Sequence, residues 1–111
     1  MKKKLLCSLL ALGVLGTSTA AFADTVSRNS RGQTFSNDWE LSTSGTNYIM
    51  NYGYNTSWIN EDYTHTMHGK YDHSATVSNS NGAYSDNAGA GSWAEIEVTH
   101  SGSFIQYSLT Y

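Results

Sequence analysis

The sequence predicts an all-β protein, a small antiparallel β-sandwich of about five to seven short strands. Three observations support this. Beyond the first 23 residues, apolar and polar residues alternate with a period of two, as in half-buried strands. No stretch there shows the 3.6-residue apolar period of a helix. Asn and Gly residues typical of turns separate the alternating runs, as they do in β-sandwiches.

The first 23 residues have the features of a secretory signal peptide. Lys2, Lys3 and Lys4 precede an apolar run over residues 5–15, and small residues continue to Ala23. We expect cleavage after Ala23 and a secreted, extracellular protein. The apolar run is shorter than the roughly 20 residues that span a bilayer, so we expect no stable membrane insertion. Cys7 is the only cysteine and lies in this segment, so no disulfide is expected after cleavage.

Loss of the leader changes the charge balance. Three basic and nine acidic side chains remain after Ala23, a net charge of −6. Such a surface is repelled by nucleic acid and by anionic lipid, which argues against a nucleic-acid partner and a cationic membrane-lysing peptide. A domain of roughly 88 residues buries only about 60 to 65% of its unfolded surface, so its core must rely on large side chains, chiefly Tyr, Trp and Phe. A homodimer would add buried surface.

The first half of the remaining chain begins with a polar segment. Residues 24–37 show neither strand nor helix periodicity and are predicted to be a flexible N-terminal segment, followed by the sandwich domain over residues 38–111. Strands are predicted over residues 40–42 and 46–54, with a turn at Ser44 and Gly45 and a bulge at Gly53. Residues 55–71 are irregular and are predicted to hold an irregular strand or a long loop.

The second half is more regular. Residues 74–79 and 83–86 are predicted to form a hairpin around Asn81 and Gly82. Residues 92–99 and 104–111 alternate cleanly and are predicted to pair as a second antiparallel hairpin. Glu95 and Glu97 then lie on the solvent side of their strand, together with Trp93, which either covers a second apolar layer or is exposed as a recognition aromatic.

Several residues of this half resemble a known family. Tyr63, His68-Gly69, the run His73-Ser74-Ala75-Thr76-Val77, and Gly91 with Trp93-Ala94 resemble the lactococcin 972 family of secreted bacteriocins. The resemblance covers roughly residues 52–111. It implies a β-sandwich, possible homodimers, and inhibition of septum formation by binding the peptidoglycan precursor lipid II. Independently of the family, alternation places Ala75 and Val77 in the core, with Ser74 and Thr76 on the other face.

The polar segment before this run holds the candidate ligand-binding residues. Lys70, the imidazoles of His65 and His68, backbone amides around Gly69 and the hydroxyls of Tyr63 and Tyr71 could bind a lipid-linked sugar phosphate, with Trp93 as a stacking aromatic. His65 and His68 point to opposite sides of a strand, so we expect a polar cluster there and no metal site or cofactor. Ser74 next to His73 is likewise no catalytic pair, and we expect no enzyme.

Two functions follow. The first is a secreted bacteriocin of the lactococcin 972 type, an antimicrobial toxin that binds lipid II or another cell-envelope component of related bacteria. The alternative is a secreted carbohydrate-binding or adhesion module without antibacterial activity, using exposed Tyr and Trp rings to stack on sugars.

Overall fold

The computed structural model describes residues 22–111, so the predictions for the signal peptide before Phe22 and for Cys7 lie outside the described residues. The described chain forms eight strands, β1 Thr25–Asn29, β2 Trp39–Gly45, β3 Tyr48–Asn55, β4 Glu61–His68, β5 His73–Asn79, β6 Gly82–Ala88, β7 Trp93–Thr99 and β8 Gln106–Thr110. Over residues 22–111 there is no helix long and apolar enough to cross a membrane.

The strands form two four-stranded antiparallel sheets. The first sheet has the order β1-β8-β5-β6 and the second the order β2-β3-β4-β7. Hairpins join β2 to β3, β3 to β4 and β5 to β6 within a sheet, whereas the other four connections cross between sheets. The predicted all-β sandwich is confirmed, with one strand more than the upper limit expected.

One strand lies in the segment predicted to lack regular structure. β1 pairs with β8 from Thr25 opposite Thr110 to Asn29 opposite Gln106. The prediction for residues 24–37 is therefore wrong over Thr25–Asn29. Because β1 is an edge strand in which only Val26 packs against the core, its sequence carries almost no apolar alternation. Backbone pairing with β8 forms the strand without that signal.

β4 runs through the middle of the segment predicted to be irregular. It pairs with β3 on one side and β7 on the other. Its inward side chains include Asp62, Thr64 and Thr66, which are fully buried. Polar residues thus occupy the core face of a central strand, which explains why the period-two apolar pattern is missing here.

β7 and β8 do not form the predicted hairpin. β7 pairs with β4 in the second sheet, whereas β8 lies between β1 and β5 in the first. Their matching apolar faces meet across the sandwich, because a six-residue connection carries the chain from one sheet to the other. Backbone bonds from His100 N to Asn60 O (2.9 Å) and from Ser80 N to Ser101 O (3.1 Å) fix this crossing.

The predicted β5–β6 hairpin is confirmed, with small differences in turn position. Asn79 pairs with Gly82, so Ser80 and Asn81 form the two-residue loop. The β2–β3 turn lies after Gly45, at Thr46 and Asn47, where Asn47 has a φ of 66°. Gly53 forms no bulge, because its register with Glu40 and Tyr63 is regular. A Cβ there would lie 2.1 Å from the Trp39 carbonyl oxygen, so this close approach requires glycine.

The core is built differently from the prediction that rings would supply most of it. Aliphatic residues and two tyrosines form its centre, and further rings pack around it. The central residues are Met50, Tyr52, Ala75, Val77, Ala94, Ile96, Val98, Ile105, Tyr107 and Leu109. The predicted placement of Ala75 and Val77 in the core is confirmed, since both are fully buried.

Candidate functional site

The β4–β5 connection and the strand ends around it form one end of the sandwich, here called the pocket end. The Gly69 amide donates to the Asn47 carbonyl (2.7 Å), and the Gly91 amide donates to the His68 carbonyl (2.9 Å). These bonds join the β2–β3 turn, the β4–β5 connection and the β6–β7 loop. His68, Gly69 and Gly91, three of the residues that carry the family resemblance, therefore lie side by side.

His68 holds the β4–β5 connection in place. Its side chain is 1% exposed, and its Nδ1 accepts hydrogen bonds from the backbone amides of Lys70 (3.0 Å) and Tyr71 (3.1 Å). An accepting Nδ1 requires a neutral ring with the proton on Nε2. Burial lowers the pKa of His68, and electrostatic interaction with His73 and Lys70 lowers it further. A neutral imidazole thus fixes the backbone that presents Lys70 and Tyr71.

Aromatic rings surround this imidazole. The His68 ring centroid lies 4.3 Å from that of Tyr111 and 5.0 Å from that of Tyr71. Tyr71 and Tyr111 stack almost parallel, with centroids 6.2 Å apart and an interplanar angle of 4°. Burial, with Asp24 and neighbouring tyrosines, raises the pKa of Tyr111, so its phenol stays neutral. Tyr71 is 52% exposed, so part of its side chain is accessible to a ligand.

A pocket of about 590 Å³ opens beside this stacked pair. Its lining combines one lysine, two aspartates and three aromatic rings, contributed by Phe22, Ala23, Asp24, Lys70, Tyr71, Asp72 and Tyr111. Its volume lies within the range of about 300 to 1,000 Å³ of small-molecule sites. Chemically, the lysine can bind a phosphate or carboxylate, the carboxylates can accept from hydroxyls, and the rings can stack on a sugar.

The structure leaves fewer of the predicted residues free to donate a hydrogen bond to a ligand. The amides of Gly69, Lys70 and Tyr71 are already bonded within the protein, so they do not form a free anion cradle. The His68 side chain is buried and bonded in the same way. At the pocket end, Lys70 and Tyr71 remain as the predicted residues whose side chains reach solvent.

His73 begins β5 next to this cluster and is fully buried. Its Nδ1 lies 3.0 Å from the Tyr71 carbonyl oxygen, whereas its Nε2 is buried without a hydrogen-bond partner. His73 therefore also holds the β4–β5 connection, through its contact with the Tyr71 carbonyl, in addition to the hydrogen bonds from His68. Ser74 points to the opposite side of β5, so the two side chains do not meet, as alternation predicts.

The remaining predicted ligand residues lie elsewhere, on the outward face of the second sheet. The Tyr63 hydroxyl donates to Glu40 Oε2 (2.8 Å), and burial, with Glu40, raises the pKa of this phenol. His65 Nε2 lies 2.9 Å from Glu97 Oε2. Trp93 pairs in register with Met67 and is 43% exposed, so it is not covered by a second apolar layer.

Glu97 contradicts the prediction that it lies on a solvent-facing side. It is 1% exposed, because Tyr63 lies opposite it in register and the His65 side chain bonds its carboxylate. Its Oε1 is buried without a hydrogen-bond partner. The outward face of the second sheet is therefore partly closed over by its own polar side chains.

The histidines that lie close in sequence are separated in space. His65 points outward from β4 while His68 is buried on the other side, as predicted from strand alternation. Over residues 22–111, no three His, Cys, Asp or Glu side chains come together as a metal site.

Sequence reasoning missed Asp24, Asn47 and Tyr111 at the pocket end. Asp24 and Tyr111 exchange two backbone hydrogen bonds of 2.8 and 2.9 Å, which extend the β1–β8 pairing into the pocket wall. No local motif marks Asp24 and Tyr111, because strand pairing brings them to the site, and Asn47 reaches it through its carbonyl bond to the Gly69 amide. Comparison of the chain with protein-family models, curated proteins and solved structures finds no match in any of the three.

Proposed function

We propose that the protein is a secreted bacteriocin of the lactococcin 972 type, which inhibits the growth of related bacteria by binding lipid II and blocking septum formation. In this proposal it acts by binding alone, without catalysing a reaction.

One observation carries the proposal. The residues of the family resemblance around His68-Gly69 and Gly91 converge on the end of the sandwich that holds the 590 Å³ pocket. Lys70, the only lysine after the predicted leader, lies in that pocket beside the stacked pair Tyr71 and Tyr111. A cation next to exposed ring faces suits a ligand that carries phosphate and sugar groups together.

Cleavage of the predicted signal peptide would change the lining of the same pocket. Phe22 and Ala23 line the pocket and belong to the predicted signal peptide. Cleavage after Ala23 would remove both and leave an α-ammonium group at Asp24, whose nitrogen lies 2.8 Å from the Tyr111 carbonyl oxygen. The mature pocket would then lack these two residues and would be lined by the ammonium groups of Lys70 and Asp24 together with the carboxylates of Asp24 and Asp72.

Replacement of the lysine tests the proposal. Lys70→Ala removes the side-chain cation and should weaken lipid II binding about 10- to 100-fold, the effect of losing one charge-assisted hydrogen bond. Lys70→Arg should retain most binding. Arg31→Ala removes one positive charge from an exposed loop beyond the far end of β1 and serves as the charge-matched control. Binding is measured to detergent-solubilised lipid II, and growth inhibition on related strains. Equal affinity of Lys70→Ala and the control would contradict the proposal.

A second function is favoured by exposed rings. Trp58, Tyr71 and Trp93 are 65%, 52% and 43% exposed. Such rings suit a carbohydrate-binding or adhesion module without antibacterial activity. Sugar binding by a purified protein that leaves related strains growing normally would favour this alternative.

A further inference from the structure

The pocket end carries charged groups of both signs that are not paired with each other. Lys70, Asp24 and Asp72 line the same pocket of about 590 Å³. In the described part of the chain, no ion pair joins Lys70 to either aspartate, and neither of the two carboxylates makes a side-chain hydrogen bond. By contrast, the buried carboxylates of Asp62 and Glu97 are each bonded to a histidine. The charged groups of the pocket are therefore free to bind a ligand.

The backbone that carries two of these charges is fixed by histidines from both adjoining strands. His68 Nδ1 accepts hydrogen bonds from the amides of Lys70 (3.0 Å) and Tyr71 (3.1 Å), and His73 Nδ1 lies 3.0 Å from the Tyr71 carbonyl oxygen. Lys70 and Asp72 flank Tyr71 in the sequence, so the backbone positions of this cation and this anion are set before a ligand binds. A backbone ordered in advance reduces the entropy that binding costs.

A pocket lined by charges of both signs favours a ligand that also carries both signs. A purely anionic ligand would be attracted by Lys70 but repelled by Asp24 and Asp72, and a purely cationic ligand would meet the reverse. Cleavage of the predicted signal peptide would add the α-ammonium group of Asp24. The pocket would then hold two positive and two negative groups, so the preference for a ligand of mixed charge would remain.

Aromatic rings lie next to the carboxylates, and they favour an ammonium group as the positive part of such a ligand. Tyr71 directly precedes Asp72, and Tyr111 exchanges two backbone hydrogen bonds with Asp24. The two rings stack almost parallel at the pocket. Cations are attracted to aromatic faces, and carboxylates accept hydrogen bonds from charged N–H groups. A primary ammonium group can make both interactions, whereas a quaternary one has no N–H to donate.

We infer that the pocket binds a zwitterionic ligand, which carries a primary ammonium group close to a phosphate group. Asp72, Asp24 and the stacked tyrosines bind the ammonium group, and Lys70 binds the phosphate. The inference deepens the proposed function, on which the choice of phosphate as the anionic group rests. A soluble phosphoester and a lipid headgroup share this chemistry, so the experiment includes both.

A pair of matched small probes tests the inference. O-phosphoethanolamine carries both groups, and its N-acetyl derivative keeps the phosphate but has lost the positive charge. Binding is measured by NMR titration of the processed, isotope-labelled protein, in which the amide shifts of Lys70, Tyr71 and Asp72 should change with O-phosphoethanolamine. The N-acetyl derivative should bind about tenfold more weakly, the effect of losing one charge-assisted hydrogen bond. Equal affinities for the two probes, or no binding of O-phosphoethanolamine, would overturn the inference.

Two variants that each remove one negative charge locate the ammonium group. Asp72→Asn keeps the size of the side chain and should lose most of the preference between the probes, because the carboxylate that binds the ammonium group is gone. The control Asp38→Asn removes an exposed charge directly before β2, at the end of the sandwich away from the pocket, and should keep the full preference. An unchanged preference in Asp72→Asn, with the fold verified by thermal unfolding, would contradict the assignment.

Further measurements separate the source of the ligand and the two proposals. Sedimentation with vesicles of phosphatidylcholine and phosphatidylethanolamine, but not of phosphatidylcholine alone, would support the inference with a lipid headgroup as the source. Binding of the free probe without vesicle binding would support it with a soluble ligand. None of these assays contains lipid II, so either proposal can fail alone. Lipid II binding together with equal affinities for the two probes would overturn only the inference, and the reverse result would overturn only the proposed function.

Discussion

The two ends of the sandwich each hold a histidine, but they use it differently. At the pocket end, His68 bonds two backbone amides and has no carboxylate partner among its hydrogen bonds. At the opposite end, here called the closed end, His100 Nδ1 lies 2.8 Å from Oδ1 of the fully buried Asp62. The ring of Phe35 covers His100 with centroids 4.3 Å apart.

This difference shows where polar groups are available for binding. At the closed end, Asn79 donates to the other oxygen of Asp62 (3.0 Å), so both carboxylate oxygens are bonded within the protein. At the pocket end, His68 arranges the backbone while Lys70 and Tyr71 stay directed to the pocket. We therefore assign stability to the closed end and ligand binding to the pocket end, and the next three experiments test that division.

The largest expected effect is at the closed end. Asp62→Ala leaves the buried hydrogen-bond partners of this carboxylate unsatisfied and should lower the free energy of unfolding by about 2 to 4 kcal/mol. Asp72→Ala, which removes an exposed carboxylate at the pocket end, should change it by less than about 0.5 kcal/mol. Urea denaturation measures both. Equal losses would contradict the division between the ends.

A smaller effect concerns pH at the pocket end. Because the pKa of His68 is lowered in the folded protein, the unfolded chain binds this proton first as pH falls below about 6.5. Stability should then decrease with falling pH, by at most about 1.4 kcal/mol per pH unit from this residue. His68→Asn places an amide oxygen near the position of Nδ1 and does not titrate.

Comparison of the unmodified protein with the His68→Asn variant isolates the contribution of His68 to the pH dependence of stability. The raised pKa of Asp62, caused first by burial, acts in the opposite direction, because the folded protein takes up that proton before the unfolded chain. This contribution is common to both proteins and cancels in their difference. Urea denaturation at pH 7.5, 6.5 and 5.5 should show that the free energy of unfolding of the unmodified protein falls as the pH falls. The His68→Asn variant should show a weaker decrease. Parallel pH profiles would show that His68 does not hold the connection as a neutral acceptor.

The smallest effect on stability is expected at Tyr71. Tyr71→Ala removes a half-exposed ring stacked on Tyr111 and should lower the free energy of unfolding by about 1 kcal/mol or less. Its effect on lipid II binding should be larger, roughly tenfold, and Tyr71→Phe should retain the stacking part of that affinity. Isothermal titration with solubilised lipid II separates the two variants. Full affinity of Tyr71→Ala would remove the stacked pair from the site.

The strands of the sandwich show how much of the fold the sequence could predict. Alternation identified the core positions Ala75, Val77 and Ile96, since β5 and β7 bury one face with aliphatic residues. It failed for β4, where Asp62, Thr64 and Thr66 occupy the core face, and for β1, where pairing with β8 acts without apolar residues. The predicted pairing of β7 with β8 was wrong, because matching apolar faces do not distinguish strands paired in one sheet from strands facing each other across the core.

Only part of the candidate site could be predicted from the sequence. Lys70 and Tyr71 were found because they lie in a locally polar segment. Tyr111 and Asp24 were not, since they reach the pocket through the β1–β8 ladder, which local patterns do not encode. The buried state of His68 and Glu97 likewise depends on neighbours from other strands.

The most direct test of the central claim is an NMR titration of the processed, isotope-labelled protein with soluble lipid II. If the pocket end is the binding site, amide shifts should change at Asp24, Lys70, Tyr71, Asp72 and Tyr111. Those of Phe35 and His100 at the closed end should stay constant. Shift changes confined to the closed end, or none at saturating lipid II, would contradict the account.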